Sequence, residues 1–252
     1  MEMRNKEIKV TEHYYDHVLT QNYSVVIQIG GRFSGKSHNE EVRLVGNLAS
    51  KENYKLLVIE DLETGMADGF HSGLYARIND FEHTDAYTPQ SRVAHIKNTI
   101  NGNEVLFRGY ATEQQRLNVK KLVEITEIIV EEGEWLDYES FIGLLQQLRG
   151  GKEEDRRLTI LMNPVNPDCF VNEMFIETPP DYVKVRFADG RPKVFEKHIT
   201  TKFTLEGVEV EQTVVVLIVL STHFDNPFLS LEQRATIEQL KETDPEKYMQ
   251  LG

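Results

Sequence analysis

Eight consecutive residues, Gly30-Gly31-Arg32-Phe33-Ser34-Gly35-Lys36-Ser37, satisfy the pattern G-x-x-x-x-G-K-[ST]. The chemistry is phosphate binding. Glycines let the backbone curl until several N–H groups converge on phosphate oxygens, and the following helix adds its N-terminal dipole. In that arrangement Lys36 reaches the β- and γ-phosphates and the Ser37 hydroxyl binds Mg²⁺. From ordinary composition, a chance match somewhere in a chain of this length has a probability of roughly 1%, so the octapeptide is read as a nucleotide site rather than a Gly-rich turn. A second constellation, Glu131-Glu132, follows the apolar run Ile128-Ile129-Val130. Two adjacent carboxylates can open any solvated helix, but a phosphate loop needs an acidic partner for its metal at the end of another buried strand. Glu131 is therefore assigned to Mg²⁺, mostly through water, and Glu132 to polarising the attacking water as general base.

A third candidate is Met162-Asn163-Pro164, which ends an apolar run. Asn163 can donate to a phosphate and accept from the attacking water, which suits a sensor coupling the γ-phosphate to motion. The same Asn-Pro pair also initiates ordinary turns, and the sequence leaves both open. The guanine signature Asn-Lys-x-Asp is missing, which favours ATP over GTP.

The elements around these residues supply the right context. Ser24–Ile29 reads as a buried strand entering the glycines, and Ser37–Leu48 as a helix with apolar Val42, Leu44, Val45 and Leu48. Further strands are expected at Lys55–Glu60, Glu104–Phe107, Glu127–Val130 and Arg157–Met162. Helices are expected over Asp61–Ala76, Glu113–Leu122 and Tyr138–Leu148, the last stopped by Gly150-Gly151. Strands alternating with helices imply a largely parallel sheet with helices on both faces. After residue 182 the texture changes. Tyr182–Phe187 and Lys193–Ile199 read as a hairpin turning at Ala188–Arg191, and a second turn at Glu206-Gly207 leads into Val208–Leu220. Ser230–Leu251 reads as an amphipathic helical tail. The fold class is thus an α/β P-loop NTPase of the ASCE type, with appended antiparallel hairpins and a C-terminal helical lid.

Composition narrows the partners. The chain has 252 residues, 28 basic and 41 acidic side chains and a formal net charge of -13, which argues against non-specific coating of nucleic acid. The exception is residues 183–202, where Lys184, Arg186, Arg191, Lys193, Lys197 and Lys202 stand against Asp189 and Glu196. That stretch is either a solvated hairpin face or a DNA contact through Lys193 and Lys197. The single Cys169 excludes an intrachain disulfide, and no apolar run is long enough to span a bilayer, so no membrane partner is expected. Tyr14, Tyr15 and Tyr23 precede the loop, where bases can stack, or belong to the core and surface.

Five segments in order, GGRFSGKS, VLFRGYATEQQRLNVKKL, EIIVEEGEWL, LTILMNPVNPDCF and STHFDNPFL, resemble the ATPase domain of the large terminase subunit of tailed bacteriophages. The resemblance covers about residues 14–251, and its discriminating pieces are the Gly-Gly-Arg loop start, Phe107–Gly109, the Glu-Glu box and Asp225-Asn226-Pro227-Phe228-Leu229. It implies ATP and Mg²⁺ as cofactors and packaging of double-stranded DNA into a procapsid. It also implies a ring, usually of five subunits, acting with a portal protein and a small terminase subunit at the portal vertex in the cytoplasm of the infected bacterium. Gly31–Ser37 then bind phosphates and Mg²⁺, Glu131 is the metal-side acid, Glu132 the catalytic glutamate and Met162-Asn163-Pro164 the coupling motif. Arg32 stands where the family often has an arginine that senses the γ-phosphate; otherwise it is a surface arginine. A neighbouring subunit's basic residue completes the site, with Arg116, Lys120 and Lys121 as the matching candidates.

Two positions depart from the pattern: Phe33 stands where the family often has Gly, and Glu131 where Asp is more usual. The resemblance also implies that residues 1–252 form a single ATPase domain, with its core at about 20–225 and a lid or linker at about 226–252. The family's nuclease domain, and hence nuclease activity, are not expected in this chain. The competing readings are a helicase-like or recombination ATPase on the same core, and a nucleotide-gated interaction module without turnover.

Overall fold

The computed structural model describes residues 9–19, 21–61, 69–89, 95–163, 168–175, 193–205, 208–245 and 248. The five expected strands form at Val25–Gly30 (β1), Lys55–Glu60 (β2), Glu104–Gly109 (β4), Glu127–Val130 (β5) and Arg157–Met162 (β6). They are joined by His95–Lys97 (β3), Lys193–Leu205 (β7) and Val208–Ser221 (β8) in one sheet ordered β3-β4-β2-β5-β6-β1-β8-β7. Every pair from β4 to β8 in that order is parallel; β3 and β7 run antiparallel at the two edges.

Period-two alternation sorts the strand residues onto two faces. Val25, Ile27 and Ile29 of β1 join Ile128, Val130 and Ile160 on one face, under Val119 of the helix Glu113–Lys120 (α4), Phe141 and Leu144 of Tyr138–Gln147 (α5), and Val171 and Phe175 of Phe170–Phe175 (α6). Leu56, Val58, Val105 and Phe107 face the other way. They pack on Leu44, Val45 and Leu48 of Lys36–Ser50 (α2) and on Leu74 and Ile78 of Phe70–Asp80 (α3). A smaller cluster places Tyr14 and Val18, from the short helix Glu12–Tyr14 (α1) and the π-helical turn after it, against Val26, Leu217 and Val219. Each fully buried aliphatic or Phe side chain contributes about 1.5–3 kcal/mol, so the sheet's central strands are the rigid platform for whatever its ends carry.

Several expectations need correction. The helix after β2 runs from Phe70 to Asp80, four residues past the expected end, because Ile78 is buried and Arg77 pairs with Asp80 at 3.0 Å; its expected first residue, Asp61, is a bend rather than helix, and 62–68 lie outside the described residues. The strand at Lys193 runs to Leu205, and all thirteen of its residues pair with β8. The observed hairpin is therefore β7 with β8, paired as far as Leu205↔Val208; the expected turn at Glu206-Gly207 lies outside the described residues. The expected partner Tyr182–Phe187 and the turn Ala188–Arg191 lie outside the described residues. The tail helix is Leu231–Thr243 (α7), ending where Pro245 follows, and Ile237 is its one buried residue among those described. β3, α1 and α6 were not foreseen: three to six residues are too few to establish a period.

Candidate nucleotide-binding and hydrolysis site

The carboxyl ends of four adjacent parallel strands, β2, β5, β6 and β1, lie side by side along one edge of the sheet. In open α/β sheets that edge is where ligands bind. Here the four ends deliver Glu60, Glu131-Glu132, Asn163 and the Gly30–Ser37 loop in that order. The register Ile29↔Met162 sets Asn163 beside the start of the loop.

The loop has the shape its glycines permit. Gly35 takes φ +89° and is the N-cap of α2, with Asn39 N–H closing the first turn onto its carbonyl at 2.9 Å. No side chain caps this helix and no acidic residue occupies its first turn. Its free N–H groups and positive dipole end are therefore available to an anion. Phe33 also adopts a left-handed φ, +70°, so the position where the resemblance leads one to expect Gly is one that glycine suits and Phe fills at a steric cost. Its carbonyl accepts a hydrogen bond from Asn226 Nδ2 at 2.8 Å.

Lys36 Nζ donates to Asn163 Oδ1 at 3.0 Å, so the loop lysine and the asparagine that follows β6 are in direct contact. Burial lowers the Lys36 pKa; Glu131, Glu134 and Glu132 act in the opposite sense, and Arg32 adds to the lowering. The Ser37 hydroxyl and the Glu132 N–H lie close enough to the Glu131 carboxylate to favour its ionised form. Burial pushes the Glu131 carboxyl up to about 7 against the attraction of Lys36 and those two donors, and the Glu132 charge pushes the same way. Hard oxygen donors from a hydroxyl and a carboxylate fit Mg²⁺, and a carboxylate desolvated to this degree is one that a divalent cation would return to the ionised form. Glu132 is exposed and stands at φ +50°, ψ +48°, a left-handed conformation for a non-glycine residue. Such strain costs on the order of 1–3 kcal/mol and gathers at functional positions.

Arg32 is exposed at the loop's outer side, and no hydrogen bond or ion pair fixes its guanidinium among the described residues. Met162 is buried in the sheet and Pro164 lies outside the described residues. Arg116, Lys120 and Lys121 are not brought to the loop. Their helix α4 follows β4, four strands from β1, about 19 Å at ordinary strand spacing. Arg116 Nε donates to Tyr110 O at 3.1 Å, and with Lys120 it lines a separate groove beside Tyr138 and Arg149. Lys193 and Lys197 lie on the edge strand β7, opposite Leu220 and Val216 of β8. Tyr14 is core, and the Tyr23 hydroxyl donates to Glu196.

Three participants were missed in the sequence. Glu60 ends β2 next to Glu131, and burial with the charges of Glu131 and Glu132 pushes its carboxyl up to about 7. Its position at a parallel strand's carboxyl end was the available signal. Glu134 Oε1 accepts the Asn163 N–H at 2.6 Å. The third is the wall of a cavity of about 670 Å³ above the loop, where Lys9, Thr11, Asn226, Phe228 and Gln233 join the loop residues. Lys9 Nζ sits 5.7 Å from the centre of the Phe228 ring. Two ends of the chain meet there, which no local pattern reveals.

A family model described as phage terminase large subunit matches residues 21–251. The PBSX phage terminase large subunit of Bacillus subtilis (strain 168) is 25% identical over 240 residues, 95% of this chain and 51% of that protein. Among solved structures, the large terminase of a thermophilic bacteriophage in complex with ADP gives a TM-score of 0.62 at 12% identity, covering 95% of this chain and 52% of that one. The HK97 bacteriophage large terminase gives 0.58 at 11%, covering 97% and 50%. The chain thus spans about half the length of the relatives it matches. With a P-loop fold, a strand order that lines up loop, Asn163 and Glu131-Glu132, and a family match over nearly its full length, the chain belongs to the phage terminase large subunit family.

Proposed function

We propose that the chain is the ATP-hydrolysing motor domain of a terminase large subunit and drives double-stranded DNA into a procapsid. The observation that carries this is the meeting, at one sheet edge, of Ser37 with Glu131 and of Lys36 with Asn163. Family membership favours it over a helicase-like or recombination ATPase. The loop N–H groups and Lys36 hold the β- and γ-phosphates, and the cavity beside Phe228 and Lys9 takes the base and ribose of ATP. Ser37 and Glu131 would hold Mg²⁺, which supplies charge neutralisation on the phosphates when bound. Glu132 accepts the proton of the attacking water, Asn163 senses whether the γ-phosphate is present, and Arg32 adds positive charge beside it.

Because α4 lies away from the loop of its own chain, Arg116, Lys120 or Lys121 acts on a neighbouring subunit's nucleotide in a ring of five. The ring docks on the portal protein and works with the small subunit at the procapsid vertex in the infected cell's cytoplasm. Lys193 and Lys197, on the edge strand, contact the DNA backbone. The decisive experiment is Glu132→Gln. Hydrolysis should fall by about 10²–10⁴-fold, the usual worth of a general base, while ADP binding persists. Unchanged turnover would overturn the assignment.

A further inference from the structure

Glu134 has no role in the mechanism above, yet it is bound to it on both sides. It lies in the short 3₁₀ turn Gly133–Trp135 that begins directly after Glu132. Its Oε1 accepts the main-chain N–H of Asn163 at 2.6 Å, and Asn163 Oδ1 accepts from Lys36 Nζ at 3.0 Å. Asn163 is the first residue past β6, where sheet pairing has stopped at Ile29↔Met162. The glutamate therefore replaces the strand as the anchor of that residue. The turn itself is seated on β6, because Gly133 approaches Ile160 so closely that a Cβ there would overlap Ile160 Cγ2. One carboxylate thus ties the turn carrying the water-activating Glu132 to the residue on the phosphate-binding lysine.

We infer that Glu134 is a positioning residue for hydrolysis, acting through Asn163 to hold Lys36 and Glu132 in register. The inference rests on the hydrolytic reading above. The bond needs an acceptor and not a charge, since the donor is a neutral peptide N–H. Among the described residues, Glu134 Oε2 is buried without a hydrogen-bond partner. A buried carboxylate oxygen left so is costly, which sets this residue apart from a routine surface turn acid.

The test is steady-state hydrolysis by the full chain with Mg-ATP, alongside ADP affinity, for Glu134→Ala, Glu134→Gln, Asn163→Ala and the Glu134→Ala/Asn163→Ala pair. Glu134→Ala should lower kcat about tenfold or more with KM changed less than about threefold, the signature of an interaction made chiefly in the transition state. Glu134→Gln keeps an acceptor oxygen and should restore kcat. The double variant should be no slower than Asn163→Ala alone, because residues acting in series are not additive. Equal loss in Ala and Gln variants, wild-type kcat in Glu134→Ala, or additive losses would each overturn the inference. If Glu134→Ala does not fold, Glu134→Met provides side-chain volume without the acceptor, and the same comparison with Gln decides. Glu132→Gln run in parallel separates the two ideas. If it hydrolyses normally the catalytic reading itself is wrong; if it is dead while Glu134→Ala is normal, only the positioning role is.

Discussion

Asn226, in the segment after β8, donates its side-chain amide to the carbonyl oxygen of Phe33 at the apex of the phosphate loop, 2.8 Å away across 193 positions of sequence. The amide is itself oriented, since Asn226 Oδ1 accepts the Phe228 N–H at 3.1 Å and Arg234 Nη2 on α7 donates to Asn226 O at 3.0 Å. The Asp-Asn-Pro-Phe-Leu segment is therefore a brace on the loop, and α7 holds the brace. Replacing Asn226 by Ala removes both side-chain hydrogen bonds, and the one to the loop is worth about 0.5–1.5 kcal/mol. ADP affinity measured by calorimetry should drop by about 2- to 10-fold at that energy, with the fold intact. Asn226→Asp should be worse, because an acceptor would face the Phe33 carbonyl and a negative charge would enter the phosphate cavity.

Phe33 offers a second prediction. At φ +70° an L-residue carries a cost of about 1–2 kcal/mol that glycine does not. The residue is 40% exposed and so returns little of that by burial. Phe33→Gly should therefore be more stable than Phe33→Ala by roughly 1 kcal/mol, the reverse of the order in a helix. Urea denaturation of the two variants checks this; Ala equal to or more stable than Gly would show that the loop relaxes out of the left-handed region.

How legible the molecule was in its sequence follows from which contacts are local. The loop, the Glu131-Glu132 pair and the five parallel strands were all readable, because each is a run of neighbouring residues with a fixed pattern. Even the contact between Lys36 and Asn163 was within reach, since parallel strands followed by turns place their ends on one edge. The Asn226 brace is visible in the sequence only as part of the family signature, because its partner lies 193 residues away. β8 was read as part of a hairpin, and nothing in Val214–Leu220 says that it also pairs in parallel with β1. Glu134 carries no local signal, since its acceptor role depends on where β6 ends.

A third prediction concerns a buried ion pair that no pattern announced. Arg43 on α2 bonds the carboxylate of Glu127 at the start of β5, the strand that leads into Glu131. Glu40 and Tyr54 complete the network, through Arg43 Nε to Glu40 Oε2 at 2.8 Å and Tyr54 OH to Glu127 Oε2 at 2.6 Å. Arg43 and Glu127 are both almost fully buried. Burial alone would raise the Glu127 carboxyl; the Arg43 charge and hydrogen bond, Arg157 and the Tyr54 hydroxyl outweigh it and hold the group below its ordinary value. A depressed folded-state pKa means stability present above the unfolded carboxyl value, near 4.3, and lost as pH falls through the lower folded one. Arg43→Met should cost about 3–5 kcal/mol at neutral pH, since it strands the buried carboxylates of Glu127 and Glu40. In the variant, acidification toward pH 4 should narrow the gap to wild type. A gap that stays constant or widens on acidification would show that these carboxylates are not the stranded charges.

The last prediction isolates the turn after Glu132. Gly133 is buried, and a Cβ there would overlap Ile160 Cγ2, part of the rigid sheet core rather than a flexible tip. Gly133→Ala must therefore lift the turn away from β6, at about 1–3 kcal/mol for overpacking. The displacement reaches both neighbours: Glu132, whose left-handed φ leads into the turn, and Glu134, whose carboxylate must stay on the Asn163 N–H. Because the loop, Ser37 and the cavity wall are untouched, ADP affinity should hold within about twofold. If Glu132 activates the water as proposed, a misplacement of about 1 Å there can cost on the order of 10²-fold in rate, so kcat should fall while KM stays. If both parameters remain at wild-type values, the turn accommodates the methyl group by moving Ile160 instead, and the seat of Glu132 is softer than its packing implies.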